Sequence, residues 1–202
     1  MTEFRVNVKI TGVQPMLMHS SQACNPLNRF AKLMKAITGK RKKTDEDYEA
    51  LSKIEWESGM YFDHILGPYI PSINVEGMLR DAARKLKKGK DVTQSIRVLP
   101  TEIPLEYTGP RDMDGLKKIA FSGERVDGED FFDMRAVKNP GSGGTVQRTR
   151  PRFNRWSLSF QIIADDAIFN IDDVLQILGI AGTKIGLSDY RPRYGTFEFT
   201  TY

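Results

Sequence analysis

The chain has 202 residues, 40% hydrophobic and 28% charged, which suits one globular domain carrying insertions. Its 30 Lys and Arg against 26 Asp and Glu leave a formal charge of only +4, so any polyanion signal must lie in how charge is distributed. A single cysteine, Cys24, excludes an intrachain disulfide and a multi-cysteine metal cluster, and no run approaches the roughly 18 apolar residues of a membrane span.

A reducing, cytoplasmic setting is therefore expected, and Thr2-Glu3-Phe4-Arg5 has no look of a secretory signal. Phe4, Val6, Val8 and Ile10 alternate with Arg5, Asn7, Lys9 and Thr11, the period-2 pattern of a strand with one buried face. The spacing of Phe30, Leu33, Met34 and Ile37 predicts a helix over 27–37. After the basic loop Lys40-Arg41-Lys42-Lys43, Thr44 caps a second helix through 56, so that 22–58 reads as a helical insertion. Residues 60–70 read as a small hairpin, and 72–88 as a helix whose buried stripe is Val75, Leu79, Ala82 and Leu86. Strands are expected at 96–99 and 102–107; the Gly-rich, charged stretch 109–128 gives no periodicity to read. A long hairpin follows, with arms 131–137 and 146–163, then a helix over 172–178 capped by Asn170 and a last strand at 196–200. Strands at both ends with helices between them give an α+β fold, an antiparallel sheet covered on one face by helices.

Between Asp133 and Asp165 there is no acidic residue, but there are Arg135, Lys138, Arg148, Arg150, Arg152 and Arg155. The Gly-rich tip Asn139-Pro-Gly-Ser-Gly-Gly144 interrupts these cations, and Phe153 and Trp156 lie among them. Neutralised phosphates and π-faces for bases are what an unpaired nucleic-acid strand asks of a protein. Period 2 puts Arg148, Arg150 and Arg152 on one face of the outer arm, and Pro151, which donates to no ladder, makes that arm an edge or a projection. Two further segments offer the same chemistry. Gly182, Gly186 and Gly195 would let backbone amides approach a phosphate, with Lys184, Arg191 and Arg193 for charge and Tyr190 and Tyr194 for stacking. Arg80 and Arg84, four apart on the helix after Pro71, would reach a common groove.

Three of these pieces resemble one family. Pro71-Ser72-Ile73-Asn74-Val75-Glu76-Gly77-Met78-Leu79-Arg80 is similar to the motif that opens the first long helix of the RAMP (repeat-associated mysterious protein) superfamily of CRISPR systems. The 182–195 stretch followed by a strand resembles that family's glycine-rich loop, and the opening strand through Gly12 and Pro15 to Leu17 and His19 is similar too. Arg150-Pro-Arg-Phe153 and Tyr190-Arg-Pro-Arg-Tyr194 also resemble phrases in small stand-alone phage and prophage proteins of this fold. The resemblance implies one ferredoxin-like (RNA-recognition-motif type) domain over 1–202, with a β-hairpin thumb at 133–156 projecting over bound RNA, and side-by-side homo-oligomers or filaments on the strand.

The function expected is therefore non-catalytic binding of single-stranded RNA or DNA through the thumb, the helix after Pro71 and the glycine-rich loop. Two readings stay open beside it: a ribonuclease using His19 or His64, the only histidines, and a phage module that meets a CRISPR complex through protein contacts. With no P-loop, dinucleotide fingerprint or zinc spacing, no cofactor and no metal are expected.

Overall fold

The computed structural model describes residues 2–138, 141 and 143–202. A four-stranded antiparallel sheet runs in the order β10–β1–β9–β5, where β1 is Glu3–Gly12, β5 Ile96–Leu99, β9 Ser157–Asp165 and β10 Phe197–Thr201. Pairing Val6 with Ile162, Val8 with Phe160 and Ile10 with Leu158 stacks the apolar positions of both central strands on one face. A one-residue slip would turn that whole set to solvent, so the pattern itself holds the register. β1 and β5 both run antiparallel to β9, and the chain between them carries α3, Ser72–Arg84. β9 and β10 likewise flank β1, with α6, Ile171–Ile180, between them. Two interleaved βαβ units of this kind make the ferredoxin-like arrangement, in an α+β fold. α3 buries Val75, Met78, Leu79, Ala82 and Ala83, and α6 buries Val174, Ile177 and Leu178, closing the core over the sheet.

The remaining segments pack around this unit. α1, Arg29–Thr38, starts at Asn28, whose side chain accepts the Phe30 N–H at 2.9 Å. α2, Asp45–Gly59, opens with a capping box between Thr44 and Asp47 and seats Trp56 fully inside, its indole N–H donating to the Phe131 carbonyl at 2.6 Å. A second sheet, β2 (Met16–Leu17), β8 (Thr145–Phe153) and β7 (Phe132–Lys138), leans on α2 through a 2.9 Å contact between the Ser52 and Thr149 hydroxyls. A third, of β3 (Phe62–Asp63), β4 (Gly67–Pro71) and β6 (Glu102–Pro104), leads into α3. Two further helices were not expected from the sequence, α4 at Gly89–Ser95 and α5 at Met113–Ala120. α5 holds Gly115 within eight residues; the Asp112 cap, at 2.7 Å from the Gly115 N–H, and burial of Leu116 and Ala120 offset its low propensity.

The second arm of the hairpin is not one strand. β8 ends at Phe153 and β9 begins at Ser157 in a different sheet. The break is held by Glu129, a buried carboxylate that accepts the N–H groups of Asn154 and Arg155, each at 2.8 Å. Burial pushes the Glu129 carboxyl pKa up against those two hydrogen bonds. β8 is also central at its base, where β2 pairs with Phe153 and Arg152, and becomes an edge only beyond that point. Pro151 stands opposite Phe132 of β7 and its carbonyl accepts the Met18 N–H at 2.9 Å, but with no N–H to return that bond the β2 ladder ends at Arg152. Of the Gly-rich tip, Asn139, Pro140 and Ser142 lie outside the described residues.

Candidate nucleic-acid interface

α6 runs into a π-helical turn, Ala181–Ile185, and then into a loop folded tightly on itself. Gly186, Ser188, Tyr190 and Gly195 all take positive φ, between 60° and 77°. Four of the loop's amides, both positive-φ glycines among them, are taken up by backbone carbonyls. The Gly186 N–H donates to Ala181 at 2.8 Å, Leu187 to Gly195 at 2.8 Å, Asp189 to Leu17 at 3.0 Å and Gly195 to Pro15 at 2.8 Å. This corrects the expectation that glycine amides cradle a phosphate: Gly186 and Gly195 let the chain close on itself, and the loop presents side chains instead.

Those side chains reach both other segments. The Arg135 guanidinium lies 4.8 Å from the Tyr190 ring centre and 4.5 Å from that of Tyr194, and donates to the Tyr194 hydroxyl at 2.7 Å. Asp133 accepts from Nε, at 2.7 Å, and from Nη2 of the same guanidinium, and this bidentate pairing raises the Arg135 pKa further. Arg150, its side chain only 9% exposed, contacts Asp189 at 2.5 Å. From the other side Arg191 approaches Asp81 of α3 at 3.4 Å, where Arg84 also sits at 2.9 Å and Arg80 at 3.7 Å. α3 and the loop thus line a cleft of about 290 Å³ with His19, Asn74, Arg80, Ser188, Asp189 and Arg191, among others, and the hairpin reaches its wall through the Arg150–Asp189 pair. A second hollow, about 590 Å³, continues from Arg80 past Arg84, Lys87 and Lys90, so Arg80 is shared by both.

Beside the cleft, Arg80 Nε and Arg150 Nη1 are buried and meet no hydrogen-bond acceptor among the described residues. A buried cationic donor left unmet is costly, and an anion is its natural complement. His19 keeps part of its ring open to solvent, yet burial of the rest lowers its pKa below 6.5. Asp189 opposes that shift, Arg150 and Arg148 add to it, and Glu55 opposes it again. His19 thus takes up a proton less readily in the folded chain than in the unfolded one. The His19 contribution to stability is complete above about pH 6.5 and is lost as pH falls through the lowered folded value. NMR titration of His19 should give a midpoint below 6.5 that rises in Arg150→Gln; a midpoint at or above 6.5 would contradict this environment.

The other predicted cations are distributed differently. Arg148 pairs with Glu55 at 2.5 Å and Arg152 with Asp130, so the inner hairpin arginines are held by carboxylates distant in sequence. Arg155, in the turn between β8 and β9, does not line the cleft. Lys138, Arg155, Lys184 and Arg193 are exposed with no carboxylate within 4 Å among the described residues. Phe153 and Trp156 are buried core residues, and the Trp156 indole N–H donates to the Gln14 carbonyl at 2.9 Å, so neither ring is free to stack on a base. Their alternation with buried neighbours is the sequence signal for this.

The sheet face opposite the helices is polar along its central strands. Arg5, Asn7 and Lys9 of β1 meet Ser159 and Gln161 of β9 there, and Glu106 accepts from Lys9, Ser157 and Ser159 at 2.7–2.9 Å. Glu106 is the residue that composition and spacing did not single out; the Lys9 partnership, foremost, holds its carboxyl below the usual range. Asp63 accepts the N–H groups of Ile65 and Leu66, so Asp63-His64 is a turn. Among the described residues no three His, Cys, Asp or Glu side chains cluster as metal ligands would, and no helix is long and apolar enough to cross a membrane.

No protein-family model matches the chain, and no curated protein does. Solved structures do. One is a chain of the structure titled "Cryo-EM structure of the Type III-B Cmr-beta bound to cognate target RNA", with a TM-score of 0.55 at 14% identity. The match covers 99% of this chain and 60% of that one, so the two share a fold and differ in length.

Proposed function

We propose that this chain binds single-stranded nucleic acid, RNA in the first instance, along a track from the hairpin through the cleft and down α3. One observation carries the reading: the loop is tied to the hairpin by Arg150 on Asp189 and Arg135 on Tyr190, and to α3 by Arg191 on Asp81, beside a cleft with unmet buried guanidinium donors. Arg135, Arg148, Arg150 and Arg152 are pre-aimed by carboxylates, while Lys138, Arg155, Lys184 and Arg193 are free to move onto phosphates. Tyr190, 40% exposed, is the ring positioned to stack on a base, and Arg84 extends the track beyond Arg80. The RNA-bound Cmr-beta structure of the same fold supports RNA, and side-by-side assembly along the strand belongs to the same proposal. Filter binding of an unpaired oligonucleotide should weaken steeply with salt, each phosphate contact adding about 0.7 to the log–log slope. A flat slope would remove the phosphate track.

A second reading, cleavage of the bound RNA with His19 as base, is favoured only by the His19 imidazole lining the cleft, whose pKa burial lowers. Cleavage of labelled RNA, with or without divalent metal, that disappears in His19→Ala would establish it; intact RNA would dismiss it.

A further inference from the structure

Residues 27–43 hold seven cations and no acid: Arg29, Lys32, Lys35, Lys40, Arg41, Lys42 and Lys43. Arg29 is committed to Glu57 at 2.8 Å and Lys40 to Asp47 at 2.6 Å. The other five have no carboxylate within 4 Å among the described residues, and Lys32, Lys35, Arg41 and Lys42 are exposed. Lys32 and Lys35 are three apart on α1, hence neighbours on its surface, and the Arg41-Lys42 loop continues from the helix end. The acids that follow, Asp45, Glu46 and Asp47, sit in the first turn of α2 at the positive end of its dipole. This strip does not line the cleft, and beyond the Arg29 and Lys40 ion pairs Lys43 Nζ donates to the Lys40 carbonyl at 3.3 Å.

We infer that α1 and the 40–43 loop form a second polyanion site, one that grips the phosphate backbone of double-helical nucleic acid. The residue types decide between ligands. The only ring within 27–43 is Phe30, which is buried, so the surface holds no platform for unpaired bases. A duplex hides its bases and presents phosphates, which is all this strip can read. A membrane surface is the poorer fit: Phe30 is buried and Met34 and Ile37 are half-buried, leaving Leu27 and Leu33 as the large apolar side chains exposed for insertion. The site goes beyond the single-strand track and stands or falls separately.

The test compares the native chain with a variant carrying Lys32→Ala, Lys35→Ala, Arg41→Ala and Lys42→Ala. Probes are a DNA duplex, an unpaired oligonucleotide of equal length and vesicles containing anionic lipid. The variant should lose at least about tenfold in duplex affinity, with a log–log salt slope lower by about 3 to 4, while keeping its affinity for the unpaired probe. Failure of the native chain to bind duplex, or unchanged duplex binding in the variant, overturns the site. Equal weakening of both nucleic-acid probes overturns its separateness, and vesicle binding lost in the variant without duplex binding assigns the strip to a membrane instead. Loss of unpaired-strand binding in a cleft variant, with duplex binding intact, leaves this inference standing and tests only the track.

Discussion

Replacing Arg80, Arg191 and Arg193 together by alanine should lower affinity for an unpaired strand by on the order of 100- to 1,000-fold, at about 1 to 1.5 kcal/mol for each guanidinium–phosphate interaction removed. The log–log salt slope should fall by about 2. The three side chains belong to two segments more than a hundred residues apart, and Arg80 and Arg191 approach the same Asp81 across the cleft. Arg84 still holds Asp81 at 2.9 Å in this variant, so no carboxylate is stranded and the fold should persist. Arg5→Ala, on the opposite sheet face, is the matched control and should leave binding unchanged. Equal affinities for the triple variant and the native chain would defeat the proposed track.

Gly195→Ala should lower the melting temperature by roughly 10 °C, from about 3 kcal/mol of lost stability. Gly195 takes φ +71°, and a Cβ there would run into the Leu187 backbone. Leu187 is fully buried, so it has nowhere to retreat. Displacing it breaks the hydrogen bonds of Leu187 to Gly195 and of Gly195 to Pro15, and with them the anchorage of Asp189, Tyr190 and Tyr194. Gly128→Ala separates the two causes, because Gly128 has φ +84° with nothing within 4 Å of a new Cβ. That variant should lose only about 1 kcal/mol. Equal melting temperatures for the two would mean that the loop is not packed as described.

The elements with strong periodicity were legible from residues alone. The alternation in Phe4 to Ile10 and in Trp156 to Ile162 yields β1 and β9, and the capping residues Thr44 and Asn170 mark the starts of α2 and α6. Two helices were not legible, for different reasons. α4 follows a chain reversal at Lys87, which takes φ 62° within a stretch whose helical patterning runs on unbroken, and α5 depends on tertiary burial of Leu116 and Ala120. The division of residues 146–163 into two strands was hidden because its cause, Glu129, lies some 25 residues upstream.

The candidate site divides the same way. The strands of the central sheet and the residue types that bear positive charge could be read from the chain alone, because both follow from local spacing and composition. Which arginines are held and which are free was a tertiary matter. Glu55 with Arg148, Asp189 with Arg150 and Asp81 with Arg191 are pairs formed across 39 to 110 positions. The three-dimensional structure also decided what the glycines do: Gly195 leaves room for the Leu187 backbone, and its amide is bonded to Pro15. Coulombic and packing interactions act through space, so a chain segment carries its charge in its sequence but meets its partner only once the fold has closed.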